Sequence, residues 1–586
     1  MSTKTPKFDA ALDEVLEITV SGPRRCTLCR GEFALEEGDI TFCKKLRVPP
    51  LRECPECRMR KRMAMEANLL HFYRKECAVH PGERVASQMD EASPYKIYDN
   101  DHWWNPDVWD AMKHGRPYDP LRPFDAQLVE LLRDVPHMAL SRYRSNVVNS
   151  EYTTGSMRLK DCYLCGNIGE SENVSYGVWV IYAKDSLDLL QADHVEQSYE
   201  VVDSNRIYGS QYVQNAENCM NSQFLFDCRN CQNCFGCVNL RNKKYCFWNE
   251  QLSREGYERR VRQIDLGKRS VRDEQRRKFD ALVQSKSILR AVRTKSSPNS
   301  TGDALIDCKN CFQTFAAISV KWILVFYKNK DIRWGQDLFG TEDAMDVSMF
   351  GPGQNSYNVL EGLSVNKVVA SYFLDNCLEV EYSFECNDCR YCFGCSGLRK
   401  KKYCILNTQY GEDEYWATVD VIKTDMLKRH TYGEFLPLQH SFFYYHDTYA
   451  QALLPLDRES AARLGARWNE NEKPVDTAGF TVLAAGQVPD SIADVTDDIL
   501  GAAIICAETG KPFRITKAEL EFYRAHRIPV PVIHPQARLL ARFRRKNPYK
   551  LWDALCAKCG QKTPSSYDPI RKLSVYCEQC YHQAVS

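Results

Sequence analysis

The chain has 586 residues, 44% of them hydrophobic, and a net charge of +1 with His neutral. That length predicts several domains with an ample core, and the balanced charge gives no global signature of a nucleic-acid or membrane-surface protein. No stretch approaches about 18 consecutive apolar residues and the start lacks a basic segment leading into an apolar run, so no membrane span and no signal peptide are expected. The expected location is cytoplasmic, where 27 cysteines point to metal ligands or buried thiols rather than disulfides.

At the N-terminal end, Cys26-x2-Cys29 and Cys54-x2-Cys57 mark a zinc ribbon over 20–70. Two CxxC knuckles that bring four thiolates together make a closed, tetrahedral, structural zinc site. Over 71–110 a second ribbon is degenerate: Cys77-x2-His80 and Asp99-x2-His102 hold the corresponding places. Cys77, His80, Asp99 and His102 are a candidate metal set, with an empty copy as the alternative. Residues 111–137 read as an aromatic, Pro-rich linker followed by a short helix.

The middle of the chain is periodic. Written in rows of twelve from residue 150, it places Asn or Asp mostly in the last column and small residues mostly in the first and fourth. Asn and Asp tolerate left-handed backbone, so they suit corners. The reading is a mainly β chain with a duplicated β-solenoid of 12- or ~24-residue coils, plus helical segments, flanked at both ends by zinc-ribbon pairs. One solenoid copy spans 138–250 and the other 296–410. They are related by an offset of 158 residues, which carries DCRNCQNCFGCVNLRNKKY at 227–245 onto ECNDCRYCFGCSGLRKKKY at 385–403. Cys228, Cys231, Cys234 and Cys237 thus fall on Cys386, Cys389, Cys392 and Cys395. These are read as small core residues. A metal or iron–sulfur site at these eight is the less favoured alternative, because the ferredoxin spacing is incomplete.

After each copy the pattern changes. Residues 251–295 hold 14 Lys or Arg against 6 Asp or Glu and read as a basic helical segment. Residues 411–500 read as a helical and loop connector. Residues 501–545 resemble the first ribbon at an offset of 480, but Thr509 and Ala537 replace two ligands, so this ribbon is degenerate. The last ribbon, 546–586, has an intact set in Cys556, Cys559, Cys577 and Cys580.

Several of these blocks together resemble an uncharacterised bacterial family of large zinc-ribbon proteins: the Cys54-Pro55-x-Cys57-Arg58 end, CFGCVNLRNKKY at 234–245, TGKPFRI and ELEFYR within 509–524, and the final VYCEQCY. Some members carry a CoA-transferase label (CaiB/BaiF), for which this sequence shows no nucleotide-binding signature. The resemblance implies zinc in the intact ribbons. Relatives more often have cysteines where this chain has Cys77–His102.

The sequence points to a zinc-binding scaffold with two to three zinc ions per chain. Basic flanks, Arg58, Arg60, Lys61 and Arg62 after the first ribbon and Arg542, Arg544, Arg545 and Lys546 before the last, suit phosphates, so RNA or a ribonucleoprotein is the expected partner. A protein–protein docking scaffold is the alternative. The rival class is a thiol or iron–sulfur enzyme using the CFGC blocks. No P-loop, GxSxG or HExxH occurs, so no catalytic residue is assigned and a non-enzyme is favoured.

Overall fold

Two ladders of parallel strands occupy the middle of the chain and explain its periodicity. In the computed structural model, which describes residues 3–585 except 68–69, 143–145, 296, 298, 307–313, 316–340, 346–347, 351–352 and 471–473, the first ladder runs from Val147–Val148 to Cys246–Phe247 and closes on the strand Glu250–Gln251. The second runs from Thr341–Met345 to Lys402–Ile405 and closes on Thr408–Gln409. The rows expected between 307 and 340 lie largely outside the described residues. Neighbouring parallel strands in both ladders are offset by 12 residues, as in Leu187 opposite Tyr199 opposite Gln211, and Leu378 opposite Arg390 opposite Lys402.

The backbone shows what that period means. From Arg158 to Tyr245 every third residue has φ near +50°, and only Gly209 and Gly236 among them are glycines. A left-handed L-residue costs about 1 kcal/mol, so the corners need support. They receive it from parallel backbone bonding and from side chains stacked rung on rung. Asn218 donates to Asn230 and Asn230 to Asn242, each at 2.9 Å. The glycine of each CFGC block answers a second demand. Gly236 and Gly394 sit at φ +65°, where a Cβ would lie 2.7 Å from the Trp248 ring and 2.4 Å from Phe124.

Both ladders end alike. Asn249 bonds Val238 N–H and O at 2.9 and 3.0 Å, and Asn407 bonds Ser396 N–H and O at 2.9 and 2.8 Å. Each amide imitates a further strand and caps the last open edge. The helices Arg254–Arg262 and Glu412–Lys428 follow.

The expected fold class, mainly β with a duplicated solenoid, is corrected. Helix and strand each take about 30% of the described residues. The strands form a 12-stranded mixed sheet and a 7-stranded sheet, with no closed solenoid among the described residues. The sheets are mixed because each ladder ends in an antiparallel pair. The period that suggested the class covers only the middle of the chain, and the flanks are rich in helix.

Candidate metal centres

Four hairpin-and-helix units stand at the chain ends, two at each end, and the same three backbone hydrogen bonds pin all four. In the first, Cys26 N–H donates to Gly31 O (2.8 Å), Thr27 N–H to Arg52 O (3.0 Å) and Arg58 N–H to Cys54 O (3.1 Å). The last repeats them as Cys556 to Gln561 (2.9 Å), Ala557 to Val575 (2.8 Å) and Tyr581 to Cys577 (2.9 Å). Around Cys77 they run from Cys77 to Glu83, Ala78 to Ile97 and Trp103 to Asp99. Around Cys506 they run from Cys506 to Lys511, Ala507 to Val532 and Arg538 to His534.

This frame converges the intact knuckles. One Cys pair sits in the turn of an antiparallel hairpin, Gly22–Arg25 with Glu32–Leu35, or Trp552–Leu555 with Lys562–Ser565. The other pair opens a helix, Pro55–Met63 or Glu578–Val585. A helix start presents unpaired N–H groups and the positive end of its dipole, which favour thiolate. The ligand atoms of Cys26, Cys29, Cys54 and Cys57, and of Cys556, Cys559, Cys577 and Cys580, all lie within 4.8 Å of one another in each set. Cys29 Sγ is 3.8 Å from Cys54 Sγ, and Cys559 Sγ is 3.9 Å from Cys577 Sγ. A tetrahedral ion with metal–sulfur bonds of about 2.3 Å requires sulfur–sulfur edges of about 3.8 Å. One edge of each tetrad meets that value and the others lie within 4.8 Å, so both sets could hold a metal ion.

Their electrostatics invite one. A hydrogen bond from Cys57, with its backbone N–H, lowers Cys54 to about 6 against burial. Burial opposes ionisation of Cys556, but the backbone N–H groups of Cys577, Cys559 and Lys558 lower it to about 6. The thiols beside them move the other way. Cys580 rises to about 12 through burial and its neighbours' sulfurs, and Cys57 is driven up by Cys54. Four like charges cannot form in one place without a cation to offset them, so metal binding releases protons.

Cys77, Asp99 and His102 form a third metal-competent group. Cys77 Sγ is 3.5 Å from Asp99 Oδ2, and His80 Nε2 is 3.1 Å from His102 Nε2.

The ladder thiols do not make such a centre. Among the described residues Cys228, Cys231, Cys234, Cys237, Cys386, Cys389, Cys392 and Cys395 belong to none of the groups that could hold a single metal ion. Each Sγ donates to the carbonyl two residues earlier, at 3.2 to 3.6 Å. Serines one rung away do the same, Ser222 to Met220 O and Ser383 to Glu381 O, while accepting from Cys234 N–H and Cys395 N–H. The column selects a small donor. Burial holds Cys228 and Cys386 well above an ordinary thiol, whereas hydrogen bonds from Cys219 and Cys386 pull Cys231 and Cys389 down. Cys234→Ser is expected to change unfolding free energy by less than about 1 kcal/mol, since it extends the column of Ser198, Ser210 and Ser222. Urea titration checks this, and a loss above about 3 kcal/mol would mean the thiol does more than fill and donate.

The basic flanks are spent internally, which removes most of them as phosphate contacts. Arg58 is 2% exposed and donates to Tyr357 OH at 2.7 Å, and Arg62 at 1% donates to Asn358 at 3.1 Å. Arg60 pairs with Glu56 at 2.9 Å and Lys61 with Glu53 at 2.5 Å. At the other end Arg542 pairs with Asp188 at 2.8 Å, Arg545 with Glu200 at 2.5 Å and Lys546 with Asp203 at 3.1 Å. Arg544 stays exposed. Asp188, Glu200 and Asp203 carry the docking and were not singled out from sequence. The signal was available, because Asp188 and Glu200 are one 12-residue rung apart on the same ladder corner.

A cleft of about 190 Å3 beside the first tetrad is lined by Glu53, Lys61, Phe124, Tyr382 and Glu434. Burial and then Glu434 raise Glu53 to about 7, and Lys61 bridges the two carboxylates at 2.5 and 3.8 Å. No described helix is long and apolar enough to cross a membrane. Compared with known proteins, the chain matches no protein-family model and no curated protein.

Proposed function

We propose that the protein is a zinc-binding docking scaffold, in which ribbon units clamp two duplicated ladders to present an extended surface to a partner protein. The observation that carries this is the pair of thiol tetrads at tetrahedral spacing, one at each end of the chain. Two further contacts support duplication. Arg241 lies 5.9 Å over Tyr581 in the last unit, and Arg399, 158 residues on, lies 4.5 Å over Trp103 in the second unit. A protein partner is favoured over RNA because the basic flanks are consumed by Asp188, Glu200, Asp203 and their counterparts at the first end.

RNA keeps one observation in its favour. Arg259, Lys268 and Arg277 are exposed on or beside the helices Arg254–Arg262 and Arg269–Lys286. The test is metal content and absorbance of protein purified without oxygen, with RNA retention measured across salt. Zinc in both tetrads, no visible band and no RNA binding support the docking scaffold. Iron with a visible band overturns the zinc reading. RNA binding that falls with salt and with Arg259→Glu/Arg277→Glu moves the function to RNA.

A further inference from the structure

We infer that Cys77, His80, Asp99 and His102 form a third metal site, of mixed ligand chemistry and more exchangeable than the two tetrads. It goes beyond the scaffold reading, which needs only the tetrads.

The first support is the frame. The Cys77 unit keeps all three backbone hydrogen bonds of the two four-cysteine units. It also keeps a fourth: Asp99 N–H donates to Cys77 Sγ at 3.4 Å, as Cys54 N–H does to Cys26 Sγ at 3.3 Å. Asp99 is the N-cap of the helix Asn100–Trp104 and His102 lies in its first turn, the places that Cys577 and Cys580 take in the last unit. The second support is convergence. The ligand atoms of Cys77, Asp99 and His102 lie within 4.8 Å of one another, and His80 Nε2 reaches 3.1 Å from His102 Nε2. A buried thiol, a carboxylate and an imidazole converge as donors of one divalent cation, with His102 Nδ1 turned to Asp99, and the exposed His80 stands at the other nitrogen of His102, where a turn of the His102 ring brings it in as the fourth donor. The Cys506 unit has the same frame, but Thr509 and Ala537 stand at two ligand places, so frame alone does not bring donors together.

The donor set decides the chemistry. A tetrad offers four thiolates, whereas this set offers one, with one carboxylate and two neutral imidazoles. Softer metals therefore prefer the tetrads, and zinc, cobalt(II) or nickel(II) suits the mixed site through nitrogen and oxygen. With half the ligand charge the ion is held less tightly and leaves first. The site is coupled to the second ladder through the next residue, because the buried Trp103 stacks on Arg399. Metal here fixes the short helix that carries that tryptophan.

The experiment counts metal on the full chain after equilibration with excess zinc, and again after a chelator of intermediate strength, with tryptophan fluorescence alongside. The expected wild-type count is three ions, falling to two on chelation with a fluorescence change. His80→Ala and Cys77→Ser are expected to start at two. A triple variant, His80→Cys/Asp99→Cys/His102→Cys, is expected to hold three through chelation, which separates a lost ligand from a lost fold. A wild-type count of two that His80→Ala and Cys77→Ser leave unchanged overturns this inference and leaves the scaffold reading intact. A wild-type count of zero overturns both.

Discussion

Cys556→Ser is expected to remove one metal ion per chain and to cost the C-terminal unit at least about 5 kcal/mol. Structural zinc supplies on the order of 10–16 kcal/mol of apparent binding energy in small domains. This unit has little core of its own to replace it, since its hairpin Trp552–Leu555 with Lys562–Ser565 alternates mostly between exposed and half-buried positions. What remains after metal loss is docking: Leu289–Arg290 beside Val575–Tyr576, Arg290 on Glu578, and Tyr581 bridging Arg241 and Asp227. That contact recovers part of the loss and keeps the rest of the chain folded. Metal counting with amide hydrogen exchange checks this. Exchange is expected to rise across 552–585 and to stay unchanged around Cys26–Cys57. An unchanged count, or equal loosening at both ends, would show that the tetrads are not independent structural sites.

Asp188→Ala is expected to destabilise the first half of the chain by about 3–5 kcal/mol, because it strands a buried charge. Asp188 and Arg542 are each 1% exposed, and Arg538 shares the same carboxylate at 3.0 Å. The triple variant Asp188→Leu/Arg538→Met/Arg542→Met is expected to recover most of that loss, as apolar replacement of a whole buried ionic group often does. A single variant within about 1 kcal/mol of wild type would mean that the pair is solvated and incidental. Acid reports on the rung beside it. Burial would raise Glu200, but Arg276, Arg545 and Arg542 outweigh it and lower its carboxyl to about 2. A depressed carboxyl stabilises the fold above its unfolded value of 4.5. That contribution, on the order of 3 kcal/mol, is lost as pH falls from about 4.5 towards 2. Glu200→Gln is expected to flatten this part of the stability profile.

The tetrads were legible because zinc-type ligands announce themselves by local spacing, and four cysteines in two knuckles leave few alternatives. The 12-residue step was legible for an equally local reason. Left-handed corners select Asn and Asp, as at Asn218, Asn230 and Asn242. The core role of the ladder cysteines could be read from the serines that share their column. The balance of helix and strand was not legible, because short turns such as Ala111–His114 and Leu438–His440 carry no period. The basic clusters were misread for the opposite reason. Arg58 meets Tyr357, 299 residues away, and Arg542 meets Asp188 across most of the chain. Nothing near Arg58 in sequence distinguishes a cation facing solvent from one facing a partner hundreds of residues ahead.

That crossed clamping has a consequence for how the chain is made. The helix Pro55–Met63 seats on Tyr357 and Asn358 in the second ladder, while Pro535–Arg545 seats on Asp188 and Glu200 in the first. At ribosomal rates of about 5–20 residues per second, Arg58 waits ~15–60 s for Tyr357 to be synthesised. Asp188 waits longer still for Arg542. The nascent chain thus carries a finished first ladder with buried-type carboxylates in water, and the two clamps close in order, the first on Tyr357 and only later the second, when Arg542 reaches Asp188. A chain interrupted between the two partners holds the first clamp and lacks the second, so Asp188 stays open to water until Arg542 arrives.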